Sequence, residues 1–241
     1  MESNWHISKG VILAAGDGGR MRALTYTCPK VLLPVRGKPL ISYPIEALAA
    51  AGISEIAVVV GYLANQIRTA LGDGSRFGVR LEYIRNSDYH GGNAISVKKV
   101  KSWAEGEPFV LCMGDHIIEP GFVSRLLDSS AIAETLCVDF APAGHHQIAE
   151  ATKVAVDNTG CISHIGKKLT HWNAVDTGVF LLTKEFLDTI EELTPELGID
   201  IGITNVIQFM LKKCRRFATC DVSGCFWADV DTEEDLNAVT A

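Results

Sequence analysis

The chain is 241 residues long, 47% hydrophobic and 21% charged, with a formal net charge of −7. Such a length carries one large domain with a substantial core, so a single domain over residues 1–241 is expected. The acidic balance argues against a nucleic-acid binder, and an anionic substrate has to be met by a local cationic site.

The opening MESNWHISKG has no apolar run behind a basic one, so no signal peptide is expected and the compartment is read as reducing and cytoplasmic. The seven cysteines fit that reading, being odd in number and scattered, with no Cys-x-x-Cys. Cys112 and Cys137 lie in apolar, strand-like runs and are expected in the core, while Cys214, Cys220 and Cys225 lack the paired spacing of a metal site. The most apolar stretch, 39–64, is broken by Glu46, Gly52 and Glu55, which predicts a helix and then a strand, with no membrane insertion.

In chain order, residues 11–15 predict a buried strand. An alanine-rich helix over 40–51, closed by Gly52, and a buried strand Glu55–Val60 follow. The pattern then predicts a helix over 63–71, a strand Arg80–Arg85, a helix over 94–104, and a buried strand Phe109–Met113 that runs into Gly114-Asp115-His116. Alternation with continuous apolar strands implies an α/β fold, a mixed but mostly parallel sheet flanked by helices. Ligands in such sheets bind beyond the carboxyl ends of the strands, so the loops after the first strand and after Met113 are expected to share one crevice. The second half changes rhythm. Strands over 153–156 and 161–165 flank the turn Asp157-Asn158-Thr159-Gly160 as a hairpin, and a strand over Ala174–Leu182 completes a small β-rich elaboration. Helices are expected over 184–193 and 203–213, His145-His146 is read as an exposed loop, and Thr232-Glu233-Glu234-Asp235 resembles a capping box opening a terminal helix.

Residues 13–30, LAAGDGGRMRALTYTCPK, are the most informative stretch. Gly16, Gly18 and Gly19 let a backbone approach phosphate oxygens closely, and Arg20 and Lys30 supply cations for a polyphosphate. A P-loop is excluded because no Gly-Lys-Ser/Thr triplet occurs: Lys38 precedes Pro39 and Lys167 precedes Lys168. The dinucleotide fingerprint is excluded because Met21 stands where its third glycine belongs and Leu33-Pro34 where its acid belongs. An ordinary βα turn is the bland alternative.

Asp115 and Asp229 each follow an apolar strand, and two carboxylates from separate strand ends suit a Mg²⁺ that also holds triphosphate oxygens. Asp231 is held in reserve for that role, its alternative being helix entry before Thr232, and His116 is read as a packed or hydrogen-bonded neighbour outside the metal set.

The pattern Gly16-x-Gly18-x-Arg20, Pro29-Lys30, Gly114-Asp115 and a late Trp-x-Asp resembles the sugar-phosphate nucleotidylyltransferase superfamily, from about residue 9 onward. The resemblance implies a Rossmann-like, glycosyltransferase-A-type fold. It also implies a reaction that joins a nucleoside triphosphate to a phosphate monoester with release of pyrophosphate. Gly91-Gly92-Asn93-Ala94-Ile95-Ser96, Met113-Gly114-Asp115-His116, Glu150-Ala151-Thr152-Lys153-Val154, Trp172-Asn173-Ala174-Val175-Asp176-Thr177-Gly178 and Asp229-Val230-Asp231-Thr232 resemble the CTP:inositol-1-phosphate cytidylyltransferases. In that family CDP-inositol feeds inositol phospholipid or di-myo-inositol phosphate synthesis, so the resemblance implies a product handed to a separate membrane CDP-alcohol phosphotransferase. Position 19, usually Thr or Ser in the superfamily, is glycine here.

Under this resemblance Leu13, Ala14, Ala15, Gly16, Gly18 and Gly19 cradle the nucleotide. Arg20 meets the β- and γ-phosphates, and Lys30 the α-phosphate and the incoming monoester. Asn86 and Asn93 are candidates to read the base, and Lys153, Lys167 and Asp176 candidates to hold the acceptor, each with a plain loop or surface role as its alternative. Other readings are a nucleotidylyltransferase with another triphosphate or acceptor (a hexose 1-phosphate, phosphocholine) and a non-catalytic nucleotide sensor.

Overall fold

The computed structural model describes residues 7–129, 134–142, 148 and 151–240. The expected loop at His145-His146 lies outside them. Apolar runs that are covered on both sides become strands. They begin with β1 (Lys9–Ala14), the short pair β2 (Pro34–Val35) and β3 (Lys38–Pro39), β4 (Glu55–Val60), β5 (Arg80–Arg85), β6 (Phe109–Met113) and β7 (His116–Ile118). The later strands are β8 (Thr135–Asp139), β9 (Lys153–Val156), β10 (Ile162–Gly166), β11 (Ala174–Leu182), β12 (Ala218–Asp221) and β13 (Trp227–Asp229). Helices of the described residues are α1 (Ser42–Ala50), α2 (Ala64–Leu71), α3 (Asn93–Lys98), α4 (Lys101–Ala104), α5 (Gly121–Asp128), α6 (Lys184–Leu197), α7 (Ile203–Lys212) and α8 (Glu233–Thr240).

One sheet runs β10-β9-β11-β6-β1-β4-β5, with β8 joined to β11 and β12 to β8. The pairs β6–β1, β1–β4 and β4–β5 are parallel, and β11 turns the sheet antiparallel against β6, β8 and β9. The expected hairpin forms, with Val154 opposite Ile165. Its strands extend the main sheet, so the late β-rich segment continues the fold's central layer. The predicted helix over 94–104 is in fact two, because Lys99 and Val100 donate to Ser96 and Val97, three residues back, and break the α ladder.

Alternate residues of β1 feed two cores. Val11 packs with Leu111, Phe180, Phe186 and Ile207 on one face, under α6 and α7. Ile12 packs with Val58, Val110, Ile45 and Phe122 on the other, under α1 and α5. Burying side chains of this size contributes about 1.5–3 kcal/mol each. A third cluster joins Met21, Leu40, Ile117, Val230 and Val239. Met21, which rules out a dinucleotide fingerprint, is therefore the anchor that seats the glycine loop against β7 and the C-terminal helix. No helix of the described residues is long and apolar enough to cross a membrane, and all seven cysteines are free thiols.

Candidate active site

The register of the parallel strands decides where the loops meet. Leu13 lies opposite Met113 on β6, and the Gly114 N–H donates to the Leu13 carbonyl at 2.9 Å. The loops after β1 and β6 therefore open at one edge, as expected. Gly18 has φ +66°, and a Cβ there would stand 2.9 Å from Lys30 Cβ and from Thr25 Cγ2. Only glycine lets the loop close onto Lys30. Gly19 carries no such demand, since the nearest atom to an added Cβ is Asp17 Oδ1 at 3.5 Å, an ordinary contact. Its N–H donates to Asp17 Oδ1 at 3.0 Å.

Lys30 is buried at the bottom of the crevice, where Nζ donates to Asp115 Oδ2 at 2.7 Å and to Asp231 Oδ1 at 2.6 Å. Asp231 Oδ2 takes Arg20 Nη2 at 2.5 Å. Burial works against the Lys30 charge, but Asp115 and Asp231 outweigh it and hold the amine above its ordinary pKa. Burial likewise pushes Asp115 up, and Lys30 and His116 more than reverse this, keeping it well below the usual carboxylate range. Asp231 is positioned by the N-terminal cap of α8. Asp235 Oδ2 accepts from the Asp231 and Thr232 N–H groups, and the Asp235 N–H donates back to Thr232 Oγ1 at 3.2 Å, the capping box expected there.

Asp229 arrives through strand pairing: β13 lies antiparallel to β7 with Asp229 opposite His116. Trp227 anchors that strand by donating Nε1–H to Asp139 Oδ2 at 3.0 Å. Asp115, His116 and Asp229 each offer one ligand atom within 4.8 Å of the others. Although the Asp229 side chain is 36% exposed, its Oδ1 is buried and no hydrogen-bond donor reaches it. Burial raises the Asp229 carboxyl to about 7 despite the nearby His116, whereas Asp229 and Asp115 overcome burial and raise His116 to about 9. A buried oxygen that accepts no hydrogen bond, beside a second carboxylate, fits a divalent cation.

Two cavities meet at this cluster. One of about 420 Å³ is lined by Leu13, Ala14, Gly16, Gly18, Gly19, Arg20 and Lys30, with Asp115 and Asp231 at its inner wall. The other, about 450 Å³, shares Arg20, Asp115 and Asp231, and is lined further by Asn93, His116, Lys167, Asp176 and Asp229. Most of the expected residues are thereby brought together. Ala15 is packed in the core instead. Asn86 is a correction: it is 1% exposed, its Nδ2 donates to Ser96 Oγ and its Oδ1 accepts from the Asp88 N–H, so no amide edge faces either cavity. Asn93 lines the larger cavity, with Oδ1 accepting from the Ile203 N–H. Lys153, at the start of β9, lines neither. Asp176 Oδ1 accepts from the Gly178 N–H, and burial raises its carboxyl to about 6. Thr152 also lines the larger cavity, and no charge or spacing in the sequence marks it.

Residues 9–241 match the family described as Nucleotidyl transferase. A glucose-1-phosphate thymidylyltransferase of Streptomyces griseus is 29% identical over 95% of this chain and 64% of its own length. A bifunctional IPC transferase and DIPP synthase of Aquifex aeolicus is 31% identical over 95% of this chain and 50% of its own length. The chain thus spans between half and two thirds of these curated relatives. Among solved structures, the inositol-1-phosphate CTP transferase from T. maritima superposes with a TM-score of 0.86 at 27% identity, covering 96% of this chain and 92% of that one.

Proposed function

Because this chain belongs to the Nucleotidyl transferase family, we propose that it transfers a cytidylyl group from CTP to inositol 1-phosphate, giving CDP-inositol and pyrophosphate. Nucleotidyl transfer is the family's reaction. The observation that carries it to this site is the meeting of two cavities at one Arg20–Asp231–Lys30–Asp115 ion-pair chain. The choice of substrates is supported by the T. maritima structure and by the Aquifex relative, whose names specify inositol-1-phosphate CTP transfer and IPC transfer.

In this reading the glycine-loop cavity takes the triphosphate and the larger cavity the phosphate monoester. A phosphate oxygen of the acceptor attacks the α-phosphorus as the bond to pyrophosphate breaks in line. The attacking atom is already anionic, so no strong general base is required, and positioning with charge neutralisation lowers the barrier. Lys30 lines the glycine-loop cavity and is bonded to Asp115 and Asp231, which line both, so it would neutralise the phosphates as they close. Arg20, largely exposed at the rim, follows the charge that builds on pyrophosphate. Lys167 meets the acceptor phosphate and Asp176 its hydroxyls. Enzymes of this family generally use a divalent ion. Asp115 and Asp229 would hold it, and when bound it would screen the phosphates from each other.

A second reading, a hexose 1-phosphate acceptor with another triphosphate, is favoured by the thymidylyltransferase relative. Pyrophosphate release measured across four nucleoside triphosphates and a panel of phosphate monoesters separates the two. The expected result is a kcat/KM for CTP with inositol 1-phosphate at least about 100-fold above any hexose 1-phosphate pair, the discrimination a polar site gives. Equal or better turnover of TTP or UTP with glucose 1-phosphate would overturn the proposal.

A further inference from the structure

The two carboxylates of the cation site are met by a nitrogen. Because β7 and β13 pair with His116 opposite Asp229, the His116 Nδ1 stands 3.1 Å from Asp115 Oδ1 and 3.8 Å from Asp229 Oδ1. The other Asp115 oxygen is committed to Lys30, which leaves Oδ1 as the atom turned toward the ring. Asp229 Oδ1 is buried and accepts no hydrogen bond. Neighbouring ligands on an octahedral ion with bonds of about 2.1 Å stand roughly 3 Å apart. The His116–Asp115 edge already has that spacing, and with the three residues offering atoms within 4.8 Å of one another, Asp229 needs only to move inward to complete one triangular face of such a shell.

The ring is also held in place from behind. Gly178 has φ +78°, and a Cβ there would lie 2.6 Å from His116 Nε2. The imidazole therefore rests against bare backbone, and any other residue at 178 would displace the ring from this position.

We infer that His116 Nδ1 is a third ligand of this cation site, releasing its proton to solvent as the ion takes its place, and that the site takes a first-row transition ion such as Mn²⁺ in preference to Mg²⁺. An all-oxygen shell suits Mg²⁺, whereas an imidazole nitrogen in the set favours transition ions. With three protein atoms on one face, the positions opposite stay open toward the two cavities, where phosphate oxygens and water complete the shell. Only this last point rests on the nucleotidyl-transfer reading.

The test uses the full chain stripped of metal by a chelator, with no nucleotide or acceptor present. Mn²⁺ and Mg²⁺ are titrated calorimetrically, and the Mn²⁺ complex is examined by pulsed electron paramagnetic resonance for nitrogen coupling from a bound imidazole. The expected result is Mn²⁺ binding at least about tenfold tighter than Mg²⁺, with imidazole coupling present. In His116→Asn, checked for folding by circular dichroism, the coupling disappears and the preference shrinks by about tenfold. The wild-type spectrum decides by itself if that variant does not fold. Bound Mn²⁺ without nitrogen coupling, a preference unchanged in the variant, or no binding of either ion would overturn the inference. None of these readouts involves substrate. The cytidylyl reading can therefore fail in its substrate panel while the ligand assignment stands, and the reverse is equally visible.

Discussion

The two sides of the crevice differ in how their charges are kept. On the glycine-loop side the cations are already matched: Lys30 sits between Asp115 and Asp231, and Arg20 closes the chain on Asp231. On the other side Lys167 is exposed and makes no ion pair or hydrogen bond among the described residues, although it lines the larger cavity. On the proposed division of substrates, a triphosphate entering the first cavity would have to exchange places with carboxylates, whereas an acceptor phosphate entering the second would meet the open cation of Lys167. Desolvation explains the contrast. Lys30 is 8% exposed in its side chain, and a buried unpaired ammonium would cost several kcal/mol, so the fold supplies it with counter-ions when no substrate is bound.

The strongest way to break this comparison is to remove the buried cation. Lys30→Ala is expected to lower turnover by at least about 1000-fold, as the loss of a charge aimed at the transition state does. It should also destabilise the fold by about 3 kcal/mol, because Asp115 and Asp231 then lose the buried cation between them and keep only His116 and Arg20. Steady-state pyrophosphate release and urea melts measure both. Adding Asp231→Asn should recover part of the stability and none of the turnover. Recovery of turnover would remove Lys30 from the chemistry.

Asp231→Asn alone sharpens the contrast. If Asp231 is an anion that competes with substrate for Arg20 and Lys30, its neutralisation lowers the KM for the triphosphate by about three- to tenfold and leaves the turnover rate within about tenfold, since exposed charge pairs are worth little and partly buried ones somewhat more. Turnover slowed by about 100-fold or more would instead put Asp231 among the metal ligands, where a lost carboxylate disables the ion.

Much of this side is legible in the sequence. The strands Glu55–Val60, Arg80–Arg85, Phe109–Met113 and Ala174–Leu182 form over the residues expected, and Glu55–Val60 and Phe109–Met113 are nearly continuous apolar runs, as strands covered on both faces must be. The short strands β7, β12 and β13 carry no comparable pattern. Cys220 of β12 is flanked by Thr219 and Asp221, and only its parallel pairing with β8 makes the segment a strand. In the site, the glycine loop and Asp115 can be read locally. The bond from Lys30 to Asp231 cannot, since it joins residues 201 positions apart and depends on the cap of α8. Asn86 misleads for a local reason: Asn86-Ser87-Asp88 is a turn whose own backbone takes the amide oxygen.

On the open side the effect is smaller and selective. Lys167→Ala is expected to raise the KM for the phosphate monoester by about tenfold, the worth of one exposed charge-assisted contact, and to leave the KM for the triphosphate unchanged. A parallel rise in both constants would mean that the two cavities do not divide the substrates.

The smallest effect concerns Asp176, which shows what the open side costs the fold. Burial raises its carboxyl from 3.8 to about 6, with the Gly178 N–H and His116 only partly offsetting. The folded state therefore holds a proton that the unfolded state releases between about pH 4 and pH 6, so stability present below that window is lost as pH rises through it. Asp176→Asn keeps an oxygen to accept from Gly178 and removes the charge. Urea melts at pH 4.5, 6 and 7.5 should show the variant more stable by about 1 kcal/mol at the highest pH, with the difference closing toward the lowest. The same variant should bind the polyol acceptor more weakly, because a neutral amide is a poorer acceptor for hydroxyls than a carboxylate. A variant that gains stability without losing acceptor affinity would leave Asp176 as strain without function.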